Sequence, residues 1–173
     1  MKNRIGVFGS ALNPPTNGHI DAIKQALCFV DHVIVVPSFS HAYGKDMKPF
    51  DVRVQLARQA FKQFGDRVSV SDIERSIYKG KPVYTCELMP EIQKIHFDSK
   101  VVFICGPDNV LGFANFKNSL EILEKFQLIT VTEQKAIRST LVRSNVQKGL
   151  PINNLVPKSI INTVLDIYNE EAN

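Results

Sequence analysis

The chain has 173 residues, 44% hydrophobic and 22% charged, with a formal net charge of +4. These are ordinary globular values, so a disordered chain is excluded, and the length suits one domain, 1–173, with a real core. The mild basic excess fits an anionic small ligand such as a nucleotide; with no dense Lys/Arg block it does not argue for nucleic acid.

In chain order, Ile5–Phe8 is a short apolar run ending at Gly9 and reads as a buried strand. Ile20, Ile23, Ala26, Leu27 and Val30 then fall at helical spacing. Val33–Val36 is a second strand, β-branched and stopped by Pro37. "PFDVRVQLARQAFKQF" reads as a helix with Val52, Leu56, Ala60 and Phe64 on one face, and Val68–Val70 as a short strand. "YTCELMPEIQKIH" reads as a helix that Pro90 should kink or interrupt. Val101–Cys105 and Leu128–Val131 are strands, with the charged helix "EILEKF" between them. Ser139–Gln147 reads as a helix stopped by Gly149, and Lys158–Tyr168 as a last one. That last helix reads as core or as a contact between copies of the chain, so a homo-oligomer is left open.

Strands alternating with helices predict an α/β fold built on a parallel sheet with right-handed crossovers. In such sheets ligands bind beyond the carboxyl ends of the strands, where the strand order reverses. "GSALNPPTNGH", "SFSHAYGK" and "GPDN" each follow a predicted strand end, and "IRSTLVR" lies in the connection after the last strand. The three cysteines, Cys28, Cys86 and Cys105, form no C-x-x-C pair. A disulfide framework or zinc site is therefore not expected, and Cys28 and Cys105 read as small core residues. No apolar run approaches the roughly 20 residues that span a bilayer, and no leader is visible, so no membrane association and a cytoplasmic location are expected.

Neither G-x-x-x-x-G-K-S/T nor G-x-G-x-x-G occurs. "NPPTNGHI" could still bind phosphate. Two prolines stiffen the loop, Gly18 clears space at a helix start where free N–H groups favour an anion, and Thr16 and His19 can donate. Locally the same residues fit a plain capped helix start, with Thr16 or Asn17 as N-cap and His19 exposed.

"GVFGSALNPPTNGH" resembles the glycine turn plus H/T-x-G-H signature of the nucleotidyltransferase superfamily, and "IRSTLVR" (137–143) resembles its second signature, I-S-S-T-x-x-R. The middle of the chain resembles the nicotinate/nicotinamide mononucleotide adenylyltransferases within it. "PVYTCELMPEI" is similar to their Tyr-Thr segment, "GPDN" to their G-x-D, and Phe116, eight residues after Asp108, stands where they often carry a pyridine-stacking tryptophan.

The resemblance implies a single-domain Rossmann-like doubly wound sheet and adenylyl transfer from ATP to nicotinic acid mononucleotide or nicotinamide mononucleotide. It implies His19, Thr16 and Arg143 as catalytic residues. ATP would be held by Gly9, Ser10, Thr16, His19, Gly106, Asp108, Arg138, Ser139, Thr140 and Arg143. The mononucleotide would be held by His41, Lys45, Tyr84, Thr85 and Phe116. Mg²⁺ is expected to be bound mainly through the ATP phosphates, with no dedicated protein ligands. Ser10 and Ala11 replace the usual glycine and Ser/Thr, and Arg138 replaces the first serine of the second signature. T-N-G-H is itself typical of phosphopantetheine adenylyltransferases, which are the alternative enzyme; a non-catalytic nucleotide sensor is the alternative from another class.

Overall fold

A computed structural model describes residues 3–40, 44 and 46–169. Among them five strands form one sheet: β1 (Arg4–Ser10), β2 (His32–Pro37), β3 (Val68–Val70), β4 (Lys100–Cys105) and β5 (Gln127–Thr130). Their order is β3-β2-β1-β4-β5, and every pairing is parallel. The chain winds outward from β1 to β3, then crosses back to build β4 and β5 on the other side. The strand order therefore reverses between β1 and β4.

Strand side chains alternate between two cores, as the period of two requires. Phe8, Val33, Val35, Val102 and Ile104 face one way. Over them lie α1 (Asn17–Ala26), α2 (Phe50–Phe61), α7 (Ser139–Gln147) and α8 (Ile161–Asn169). Ile5, Val7, Ile34, Val36, Val101, Phe103 and Cys105 face the other way. Over them lie α4 (Thr85–Ile95) and α6 (Ser119–Lys125), with Phe113 and Phe126. The short helices α3 (Glu74–Ile77) and α5 (Pro107–Leu111) follow β3 and β4. Gly6 of β1 lies so close beneath Ile104 that a Cβ there would stand 2.6 Å from its Cδ1.

Three expectations are corrected. Cys28 is exposed, not core, because α1 ends at Ala26 and the chain turns outward before Val30. Pro90 does not interrupt α4: the helix runs through it with Leu88, Met89 and Ile92 buried, and that packing outweighs one lost backbone bond. The expected face of α2 does meet the core, with Leu56 and Ala60 buried and Val52 and Phe64 packed against it, but the buried face is wider, adding Phe50, Arg53, Val54, Ala57 and Phe61. The helix is also shorter: it ends at Phe61, so Phe64 falls in the following 3₁₀ turn, Lys62–Arg67.

Candidate active site

The connections after β1, β4 and β5 meet above the β1/β4 boundary around a cleft of about 510 Å³. Gly9, Ser10, Thr16, His19, Gly106, Asp108, Arg138, Ser139, Thr140 and Arg143, the ten residues expected at ATP, all line it.

Thr16 is the N-cap of α1, and His19 sits in the first turn. The Thr16 backbone N–H donates to His19 Nδ1 at 3.0 Å. Nδ1 therefore carries no proton, and the neutral ring carries it on Nε2, which stands 3.2 Å from Ser10 Oγ on the cleft wall. The Thr16 hydroxyl accepts from the His19 N–H at 3.4 Å and donates to the Ile137 carbonyl at 3.2 Å, tying α1 to the segment that precedes α7. Phe8 meets the imidazole edge-on at 6.1 Å between ring centres. Desolvation, and after it the Arg138 guanidinium, lowers the His19 pKa from 6.5 to about 4. At neutral pH the imidazole is thus an uncharged N–H donor.

The loop between β1 and α1 is fixed from a distance. A cis peptide joins Asn13 to Pro14, and Leu12, buried, has a positive φ of 48°. Arg143 Nη1 donates to the Asn13 carbonyl at 2.6 Å, and Ser139 Oγ to the Pro14 carbonyl at 2.7 Å. Tyr168, on the last helix, donates to Asn13 Oδ1 at 2.6 Å, and the Lys48 N–H reaches the same oxygen at 3.2 Å. Buried Arg53 donates to the Ala11 carbonyl at 2.7 Å and the Lys48 carbonyl at 2.8 Å. Gly18 lets α1 pass close to the 135–137 backbone: a Cβ there would stand a tight 3.0 Å from the Ile137 oxygen and 3.3 Å from that of Lys135.

α7 opens at Ser139, so its first-turn N–H groups, unsatisfied within the helix, add a positive dipole end beside the motif side chains. Arg138, its N-cap, spans the cleft's outer rim: Nη1 pairs with Asp108 Oδ2 and Nη2 with Glu133 Oε1, each at 2.9 Å.

The residues expected at the mononucleotide lie apart from this cleft. Tyr84 precedes α4, Thr85 begins it, and Lys117 lies over the Tyr84 ring at 4.7 Å while pairing with Glu87 at 2.8 Å. Phe116 stacks on Phe113 with centres 5.0 Å apart and packs against the second core. His41 and Lys45, like Tyr43, lie outside the described residues. Sequence reasoning missed Asn13, Tyr168 and Glu133; the first lay inside the motif loop, and nothing local marked the other two.

Among the described residues no group of three or more His, Cys, Asp or Glu gathers that could hold a metal ion. Four of the described carboxylates line the cleft: Asp108 and Glu133 pair with Arg138, Asp21 accepts from Gln25 at 2.9 Å, and Asp46 is exposed. This donor set fits a cation carried by phosphate oxygens and water rather than by a protein cage. Among the described residues no helix is long and apolar enough to cross a membrane.

A doubly wound parallel sheet with two remote signatures meeting at its switch point defines a nucleotidyltransferase. The cytidylyltransferase-like family matches residues 7–161. A protein of Vibrio parahaemolyticus, assigned as a nicotinate-nucleotide adenylyltransferase, is 32% identical with a TM-score of 0.83, over 94% of this chain and 99% of that one. A Sulfurimonas denitrificans protein with the same assignment is 27% identical over 96% of each chain. The nicotinic acid mononucleotide adenylyltransferase of Plasmodium falciparum, complexed with NaAD, aligns over 99% of this chain and 98% of its own with a TM-score of 0.76; at 16% identity that likeness speaks for the fold. The chain belongs to the cytidylyltransferase-like family and, within it, to the nicotinate-nucleotide adenylyltransferases.

Proposed function

We propose that the chain transfers the adenylyl group of ATP to nicotinic acid mononucleotide, or to its amide, forming deamido-NAD or NAD and releasing pyrophosphate. One observation carries this reading: Thr16 and His19, from one end of the chain, and Ser139, Thr140 and Arg143, from the other, line a single cleft at the sheet's switch point. Membership of the adenylyltransferase family supports the same reaction.

In this reading an oxygen of the acceptor's phosphate attacks the α-phosphorus. A P–O bond forms there, the bond to the α–β bridging oxygen breaks, and pyrophosphate departs with that electron pair. The nucleophile is already anionic, so no general base is required; the protein positions the groups and stabilises charge. His19 Nε2–H donates toward the α-phosphate and the bridging oxygen. Thr16 holds that ring in its donor tautomer. Ser139, Thr140 and the first turn of α7 receive the β- and γ-phosphates, with Arg143 behind them. A divalent cation on the phosphate oxygens would supply charge neutralisation at the leaving group. Asp108 and Gly106 hold the adenosine. Tyr84, Thr85 and Phe116 take the pyridine end, with His41 and Lys45 toward the mononucleotide phosphate.

The test is a panel of acceptors. The protein is incubated with ATP, Mg²⁺ and, separately, nicotinic acid mononucleotide, nicotinamide mononucleotide and phosphopantetheine, and the products are identified by mass. A dinucleotide from a pyridine mononucleotide is expected. Product from phosphopantetheine alone would reject the reading.

A further inference from the structure

Arg138 stands where the resembled signature has serine, so its contacts belong to this chain. Its two carboxylate partners are not equivalent. Asp108, just after β4, has 70% of its side chain exposed, while Glu133, after β5, has 29%. Glu133 reaches Nη2 with both oxygens, Oε1 at 2.9 Å and Oε2 at 3.0 Å; Asp108 makes one contact at 2.9 Å. An exposed single ion pair contributes little, about 0–1 kcal/mol, whereas a more sheltered carboxylate with two contacts holds the guanidinium better. A polyphosphate in the cleft carries several negative charges and outcompetes one exposed carboxylate. Asp108 is therefore the partner that Arg138 gives up, and Glu133 the one that it keeps. The Arg138 charge is already felt at His19, which places the guanidinium within electrostatic reach of the reacting end of the cleft.

We infer that Glu133 is a positioning residue that holds Arg138 over the cleft, and that Arg138 exchanges its Asp108 contact for the nucleotide's phosphates on binding. This rests on the cleft being the ATP site. It adds a consequence for the same site: the exchange releases Asp108 Oδ2 to accept from the adenosine as the phosphates arrive, so the two ends of the nucleotide are recognised together.

Glu133 then matters only through Arg138 and only for a ligand with phosphates. Wild type, Glu133→Ala, Arg138→Ala and the double variant are titrated, without acceptor, with ATP by calorimetry and with adenosine by ligand-observed NMR. Glu133→Ala should weaken ATP about tenfold, within the worth of one charge-assisted hydrogen bond, and leave adenosine nearly unchanged. It should add nothing in the Arg138→Ala background. Glu133→Gln, which keeps the shape and one acceptor, should weaken ATP less than Glu133→Ala and gives the same reading if the alanine variant does not fold. Equal weakening of ATP and adenosine, or additive losses in the double variant, would overturn the proposal. A wild type that binds ATP in the expected pattern yet makes no dinucleotide would remove the acceptor assignment and leave the exchange standing.

Discussion

His19 is placed as a neutral donor by three local facts: Thr16 N–H on Nδ1, Ser10 beside Nε2, and a pKa lowered to about 4 by desolvation and Arg138. The free-enzyme profile, kcat/KM against pH, should therefore show no limb from His19 between pH 6 and 8. A limb at the ordinary imidazole value, near 6.5, would contradict the assigned tautomer. Removing the donor in His19→Ala should lower kcat by about 10²–10³, as for loss of an oxyanion donor; a kcat close to wild type would reject its role. The same shift has a stability sign. Below pH 6.5 the unfolded chain takes the proton before the folded one does, so His19 costs stability as pH falls from 6.5 toward 4. Glu74 works in the opposite direction. It is buried, and desolvation raises its carboxyl from 4.5 to about 7 although the Phe39 N–H, at 2.7 Å, and Arg53 both favour the charged form. The folded chain holds that proton more tightly, so stability falls as pH rises from 4.5 to 7. Glu74→Gln should shrink the drop in Tm between pH 5 and pH 8; an unchanged drop in thermal melts would refute the assignment.

At the scale of elements, the long periodic segments were legible: β1, β2, β4, β5, α1 and α7 follow the apolar spacing of their residues. The boundaries Ser139 and Gln147 of α7 match the expected ones, because Gly149, with a φ of 65°, stops it. Helices α3 and α5 have four and five residues, too few to show a period, and the sequence did not announce them. The passage of Arg143 and Ser139 onto the Asn13 and Pro14 carbonyls was also hidden, since a motif advertises donors but not a partner more than a hundred residues away. Gly18 joins these levels. Alanine is the better helix residue by about 0.5–1 kcal/mol, so Gly18→Ala should not weaken α1 itself. Its Cβ would instead press on the carbonyls of Lys135 and Ile137 and displace the segment that delivers Arg138 and Ser139. The expected result is a kcat/KM at least about tenfold lower with a Tm nearly unchanged. A large loss of Tm with normal turnover of the folded fraction would show that the glycine serves packing alone.

At the scale of the whole molecule, the site exists because the winding reverses between β1 and β4. The helices after β1 and β5 share one face, where Ile20, Ile23 and Ala26 lie in one core with Val142 and Val146. Their first turns consequently meet over the switch point. The pairing of the two signatures was readable as a resemblance, and the sheet supplies its physical reason. The residues proposed for the acceptor were less readable: Tyr84 and Thr85 stand at the start of α4, and Phe116 packs against the opposite core, leaning on Phe113 rather than on the cleft. A lone aromatic in sequence does not reveal which of its faces is covered. What the whole arrangement claims is that the α-phosphorus, not the γ-phosphorus, is attacked. The most direct measurement follows radiolabel from ATP, placed at the α- or at the γ-phosphate, into the products formed with nicotinic acid mononucleotide or nicotinamide mononucleotide. The α-label should appear in the dinucleotide and the γ-label in pyrophosphate. A γ-label found on the acceptor, or an α-label left in ADP, would contradict the account.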